Sequence, residues 1–316
     1  MDKAAGVHHV GFGVRNLKAA ETYYQQTLGF SAVLEAWEDS VNSMADTYRN
    51  SPHNYAGFMS VQPAGGIIIE PIFKKWPTPR PIQATPRYGD IGVNKLTIAV
   101  SDPGRLFQEY PERIDFFGSP VSVDLPGLGP YEFVYAKGPD GNIIEFAAWA
   151  GAPVKDGLFG GARILGLSVT DLERSKAFYQ AHCGFDVVVG EHDRFSGHVG
   201  DISGQADTRV RSCLLDSSRR KPGRGGMIEL YEVSNPRGRS IPFGTEWGDF
   251  GYMEVCLFYP GNILDLHKYF LEQGLDVPQR PTCFGRNEQG TVDYWFLYVR
   301  DPDGILIESV GYHARP

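Results

Sequence analysis

Residues 131–146, YEFVYAKGPDGNIIEF, return at 294–309 as YWFLYVRDPDGILIES, with eight of sixteen positions identical. Each copy holds two strand-like runs around a Pro-Asp-Gly turn, because aromatic and β-branched residues favour strands while Pro and Gly punctuate them. A duplicated hairpin implies a larger duplicated unit. The opening stretch GVHHVGFGVRNLKAAETYYQQTLGF (6–30) matches RILGLSVTDLERSKAFYQAHCGF (163–185) at a constant offset of 155, so that Val14, Tyr24, Gly29 and Phe30 recur as Val169, Tyr179, Gly184 and Phe185. The same strand-then-helix opening stands twice more, at VNKLTIAVSDPGRLFQEY (93–110) and YMEVCLFYPGNILDLHKYF (252–270).

Four modules follow from these copies. Each opens on a period-2 strand, continues through an amphipathic helix and ends in β-rich, turn-punctuated sequence, which is a βαβββ pattern and an α+β fold class. In module 1, Asn16 is the expected helix N-cap, Leu17, Ala20, Tyr24 and Leu28 the apolar stripe, and Gly29 the stop. Modules 1 and 2 fill residues 6–148, within an expected N-terminal domain of 1–150. Modules 3 and 4 fill 162–312, within an expected C-terminal domain of 151–316. GAPVKDGLFGGA reads as the linker between the halves, and the Pro-rich KKWPTPRPIQATPRYGD separates modules 1 and 2.

Composition bounds the function. The chain has 316 residues, 42% hydrophobic and 22% charged, with no apolar run long enough to span a bilayer as a helix. The formal charge of −8 argues against chain-wide attraction to nucleic acid. The basic run SSRRKPGRGG (217–226) lies among Gly, Pro and Ser and reads as a solvated loop, with an anion clamp as the alternative. Cys183, Cys213, Cys256 and Cys283 form no CxxC pair, and the N-terminus has no basic region followed by an apolar core. These features fit a cytoplasmic protein with neither a disulfide framework nor a thiolate zinc site, no membrane or nucleic-acid partner, and a monomeric or homodimeric state.

Chemistry enters at His9. Alternation along the first strand puts Val10, Phe12 and Val14 on the face a helix should cover, and His9, Gly11 and Gly13 on the other. Two glycines there leave room beside the backbone, and a histidine at the edge of that space suits a metal ligand or an acid/base. His8, on the opposite parity, reads as a strand-start residue.

Four βαβββ modules, a first strand of the form HHVGFGVRNL and a last strand of the form DPDGILIES resemble the vicinal oxygen chelate superfamily, over nearly the whole chain. That group includes glyoxalase I, an epimerase, drug-resistance proteins and extradiol dioxygenases. The resemblance implies modules paired into two half-open β-barrels, with a divalent metal held by first-strand and last-strand side chains. Carried onto this sequence, the first-strand positions are His9, Lys95, Ile164 and Glu254, and the last-strand positions are Glu70, Glu145, Glu229 and Glu308.

With modules paired within each half, the resemblance implies a metal set of His9, Glu70 and Glu145, suited to Mn²⁺, Fe²⁺, Ni²⁺ or Zn²⁺. The alternative C-terminal set is Glu229, Glu254 and Glu308. Lys95 stands where a fourth ligand is common. It is read as a base with a lowered pKa, with Glu145 the other catalytic candidate, as an electrostatic partner for an anionic substrate, or as a cation that replaces the metal by pairing with Glu70 or Glu145.

The leading expectation is a metal-dependent, glyoxalase-like isomerase or lyase that abstracts a proton from a small, possibly aromatic substrate with vicinal oxygens. Tyr131, Tyr294 and Glu254 are candidate substrate contacts, with Trp37, Tyr55 and Trp295 as further cleft aromatics. An extradiol-type dioxygenase is one alternative, weakened because the two histidines it draws from the C-terminal half are absent. A metal-free protein that sequesters an aromatic compound is the other. His192 and His198 are read as solvated, or as lying over the C-terminal cleft.

Overall fold

The computed structural model describes residues 3–42, 53–80, 86–154, 157–195, 208–235, 237–240 and 248–314. Module 1 supplies β1 (Val7–Gly13), α1 (Leu17–Glu21, continued by π-helical turns over Thr22–Thr27), β2 (Ala32–Asn42), β3 (His53–Val61) and β4 (Ile68–Trp76). Module 2 supplies β5 (Gly92–Val100), α2 (Pro103–Glu109), β6 (Asp115–Phe116), β7 (Val121–Leu125), β8 (Gly129–Lys137) and β9 (Ile143–Trp149). Module 3 contributes β10 (Phe159–Ser168), α3 (Leu172–His182), β11 (Val187–Phe195), β12 (Arg209–Asp216) and β13 (Met227–Asn235). Module 4 contributes β14 (Gly251–Phe258), α4 (Ile263–Glu272), β15 (Gln279–Arg286), β16 (Val292–Arg300) and β17 (Leu306–Ala314). The α+β class and the βαβββ repeat are both present.

Local signals hold where they were strongest. Asn16 caps α1, its side chain accepting from the Ala19 N–H, and Gly29 ends the helical run at φ 75°. Val10, Phe12 and Val14 are buried on the helix side, with the Phe12 ring 5.2 Å from that of Tyr24. Full burial of each such side chain contributes roughly 1.5–3 kcal/mol.

The pairing of modules differs from expectation. One sheet runs β15-β16-β17-β14-β1-β4-β3-β2, and the other β11-β12-β13-β10-β5-β9-β8-β6, with β7 added on β8. Module 1 therefore joins module 4 through antiparallel β1 and β14, and module 2 joins module 3 through antiparallel β5 and β10. Each sheet draws one module from each half of the chain. The Pro-rich stretch after Trp76 thus carries the chain from one sheet to the other, whereas GAPVKDGLFGGA connects two modules of the same sheet. The physical reason is that all four first strands present the same apolar helix-side face, so burial alone accepts either pairing.

The helix-side faces of both sheets contribute to one large apolar cluster, in which Val10, Phe12, Leu96, Leu165 and Val255 meet. Each opposite face carries its own smaller aromatic cluster: Tyr298, Phe296 and Cys256 on the first sheet, and Tyr88, Tyr131, Tyr135 and Tyr231 on the second. The basic run 217–226 lies where the sheets meet. Gly66 donates to the Gly223 carbonyl at 3.0 Å, Gly226 pairs with Val7, and Arg220 is held by Asp216 at 2.6 Å. Among the described residues, no helix is long and apolar enough to cross a membrane.

Candidate metal centre

On the first sheet, register alone brings four side chains together. Gly11 faces Glu70 across the parallel β1–β4 ladder and Glu254 across the antiparallel β1–β14 ladder. Two residues along, Cys256 faces His9 and, on β17, Glu308. The glycine leaves room for the carboxylate where it stands: a Cβ on Gly11 would lie 2.5 Å from Glu254 Oε1 and displace it. All four side chains point away from the helices.

His9 is at the centre. Its Nε2 lies 3.2 Å from Glu70 Oε2 and 3.0 Å from Glu308 Oε2. Ligand atoms of His9, Glu70 and Glu254 fall within 4.8 Å of one another, and Tyr298 donates its hydroxyl to Glu254 Oε2 at 2.5 Å. Burial pushes the Glu254 carboxyl up to about 8, with Glu308 and Glu70 adding to the effect. Glu70 is raised by burial too, offset in part by His9. Burial opposes charge on His9, yet Cys256 and the carboxylates around it hold the imidazole well above its ordinary value. One imidazole and three carboxylates crowded in a dry site form an oxygen-rich donor set of the kind that takes a divalent cation.

His8 was not foreseen as part of this site. Its Nδ1 lies 2.9 Å from His9 Nδ1, and burial followed by the His9 charge lowers it to about 3. A neutral His8 accepts the His9 Nδ1–H, which turns His9 Nε2 toward the carboxylates. The doubled histidine in HHVGFG was the only signal for it. Cys256 and Tyr298 were likewise missed, since neither residue type carries a ligand signal in a strand.

The second sheet repeats this frame. Gly166 faces Glu229 and Lys95, as Gly11 faces Glu70 and Glu254, and Thr97 faces Glu145 and Ile164, as Cys256 faces Glu308 and His9. The Lys95 ammonium lies 2.5 Å from Glu145 Oε2 and 2.9 Å from Glu229 Oε2, while the Thr97 hydroxyl donates to Glu145 Oε2 at 2.7 Å. Burial works against the Lys95 charge, but Glu145 and Glu229 outweigh it and hold the ammonium well above its ordinary range. Burial would raise Glu229, and Lys95 instead brings it below the usual carboxylate value.

Several sequence expectations are corrected by this placement. Glu145 does not join His9 and Glu70; it lies on the other sheet, bound to Lys95. Glu229, Glu254 and Glu308 do not form one set, because Glu229 is also held by Lys95 while the other two face His9. Lys95 is an ion-paired cation and not a base with a lowered pKa, and its partners are Glu145 and Glu229, not Glu70.

The aromatic candidates divide similarly. Tyr131 is buried at the second-sheet cleft, stacked on Trp149 at 5.9 Å. Tyr294 starts a row on β16 that continues through Phe296 to Tyr298 beside Glu254, with Tyr312 at 5.2 Å. Trp37 and Tyr55 adjoin the first-sheet cluster, whereas Trp295 packs into the helix-side core and stacks on His313 at 5.8 Å. His192 does reach the second-sheet cleft, where its Nε2 lies 2.7 Å from the Ser212 hydroxyl; His198 lies outside the described residues.

Comparison with known proteins agrees with this frame. Residues 162–309 match the family described as Glyoxalase/Bleomycin resistance protein/Dioxygenase superfamily. Glyoxalase I from Zea mays superposes with a TM-score of 0.60 at 16% identity, covering 97% of this chain and 92% of that one. A variant of the maize enzyme gives 0.59 at 15% identity, over 97% and 92%. The Mn(II)-bound glyoxalase from Novosphingobium aromaticivorans covers 98% of this chain and 83% of its own at 15% identity, with a TM-score of 0.31. No curated protein matches the sequence. Residues 162–309 thus belong to the Glyoxalase/Bleomycin resistance protein/Dioxygenase superfamily, and the chain along its length shares the fold of glyoxalase I.

Proposed function

We propose that the outer face of the first sheet holds a divalent cation on His9, Glu70, Glu254 and Glu308, and that the protein is an isomerase or lyase acting by proton transfer on a small substrate with two neighbouring oxygens. The convergence of one imidazole and three carboxylates on one point of a dry sheet face carries this reading. A bound divalent ion supplies Lewis acidity toward both substrate oxygens, which acidifies the carbon beside them.

The chain's own residues supply the rest. Before any ion binds, burial pushes the Glu254 carboxyl up to about 8, the direction that suits a group which takes and returns a proton. Tyr298 fixes its carboxyl, and Gly11 keeps the space in front of it open. His8 holds His9 through Nδ1 and leaves Nε2 facing Glu70 and Glu308. The row Tyr294, Phe296 and Tyr298 offers an apolar wall that excludes water from the substrate. A single imidazole among three carboxylates favours this chemistry over the two-histidine, one-carboxylate set associated with iron-dependent oxygen chemistry.

The test is deuterium uptake from D₂O, followed by NMR, into a panel of α-hydroxyketones and thiol–α-ketoaldehyde adducts with metal-loaded protein. Exchange at the hydroxyl-bearing carbon next to the carbonyl, stopped by Glu254→Gln with metal retained, is the expected result. A protein that binds no metal, or exchange that survives His9→Ala, contradicts the reading.

A further inference from the structure

The second sheet keeps the frame of the first and changes two of its four side chains. Ile164 stands where His9 stands, and Lys95 where Glu254 stands, while Glu229 and Glu145 keep the two last-strand carboxylates. We propose that Lys95 is a built-in replacement for the divalent cation: its ammonium occupies the place between Glu145 and Glu229, and with Ile164 in place of an imidazole this cleft is closed to metal ions. The inference concerns a different site from the proposed metal centre and stands independently of it.

The surroundings are built for an ammonium. Lys95 is 2% exposed, and its stem lies against Gly166, where any Cβ would collide with Lys95 Cγ. The rings of Tyr135 and Tyr231 lie with centroids 5.7 and 5.9 Å from Nζ. Aromatic faces attract an organic cation, whereas a divalent metal ion takes oxygen or nitrogen donors, which these ring faces do not supply. Tyr135 pairs across the ladder with Glu145 as Tyr298 does with Glu308. The same strand position therefore serves a carboxylate's hydrogen bond in one sheet and a cation's ring contact in the other. An entering metal would have to drive the ammonium off both carboxylates into a buried, apolar surround, which buried charges resist strongly.

The experiment counts Mn²⁺ bound to the full chain by equilibrium dialysis and elemental analysis. A His9→Ala/Glu70→Gln variant, with the first-sheet centre removed, is expected to bind none at a concentration that loads wild type with one ion. Adding Lys95→Glu and Ile164→His to that variant reproduces the first-sheet donor set on the second sheet. One Mn²⁺ per chain is then expected, lost again on Glu229→Gln. The inference is overturned if the first-sheet variant keeps an ion that Glu145→Gln removes, or if the grafted variant, folded by circular dichroism, binds nothing. Should the graft fail to fold, the first-sheet variant alone decides. Failure of the metal-centre reading looks different: wild type binds no ion, yet the graft still gains one.

Discussion

The two sheets of this protein are built on one hydrogen-bonding frame and reach opposite electrostatic solutions. On the first, His9, Glu70, Glu254 and Glu308 crowd three carboxylates around one imidazole, and the Glu254 carboxyl is pushed up to about 8. On the second, Lys95 stands between Glu145 and Glu229, and Glu229 is drawn below the usual carboxylate range. The first site has a deficit of positive charge, and the second carries its own. Two side-chain exchanges on a fixed backbone separate a site suited to a cation from one already satisfied.

The largest effect should come from removing a ligand on the first sheet. His9→Ala is expected to weaken Mn²⁺ binding, read by dialysis, by more than the about 10–100-fold that loss of an outer-shell partner costs. On the second sheet the counterpart is Lys95→Met, which leaves Glu145 and Glu229 buried without a cation. Denaturant unfolding should show a loss of about 3–5 kcal/mol, with Mn²⁺ binding at the first sheet unchanged; equal stability would mean that the pair is not the linchpin of that cleft.

Smaller effects sharpen the comparison. His8→Ala should reduce Mn²⁺ affinity about 10–100-fold with the fold intact, since His9 loses the acceptor for its Nδ1–H. Affinity should also depend on pH in a defined direction. Below about 8 Glu254 holds a proton that the metal must displace, and His9, raised as well, adds to that cost. Binding should therefore strengthen as pH rises, with the Glu254 share of about tenfold per pH unit levelling off above about 8. Glu254→Gln should flatten that slope. The gentlest change, Tyr298→Phe, removes a hydrogen bond that favours the Glu254 carboxylate, so the level region should begin at higher pH than in wild type.

Much of the frame was legible in the sequence. The repeated hairpin at 131–146 and 294–309, the caps at Asn16 and Gly29, and the outward parity of His9 all follow from local rules, and the structure carries each of them. The eight first-strand and last-strand positions came from the family resemblance rather than from local rules. The pairing was not legible, because every first strand offers the same apolar face to the core. One signal was available in the chemistry: the two first-strand residues that do not suit a metal, Lys95 and Ile164, fall on one sheet only when module 2 joins module 3. That pairing leaves His9 and Glu254 together on the other. His8, Tyr298 and Thr97 remained hidden because their roles depend on cross-strand neighbours rather than on their own sequence context.

The most direct test is a crystal grown with Mn²⁺ and measured with anomalous scattering at the manganese edge. The account predicts one peak, between His9, Glu70, Glu254 and Glu308, and none beside Lys95. A peak between Glu145 and Glu229, or no peak among the four first-sheet ligands, would contradict it.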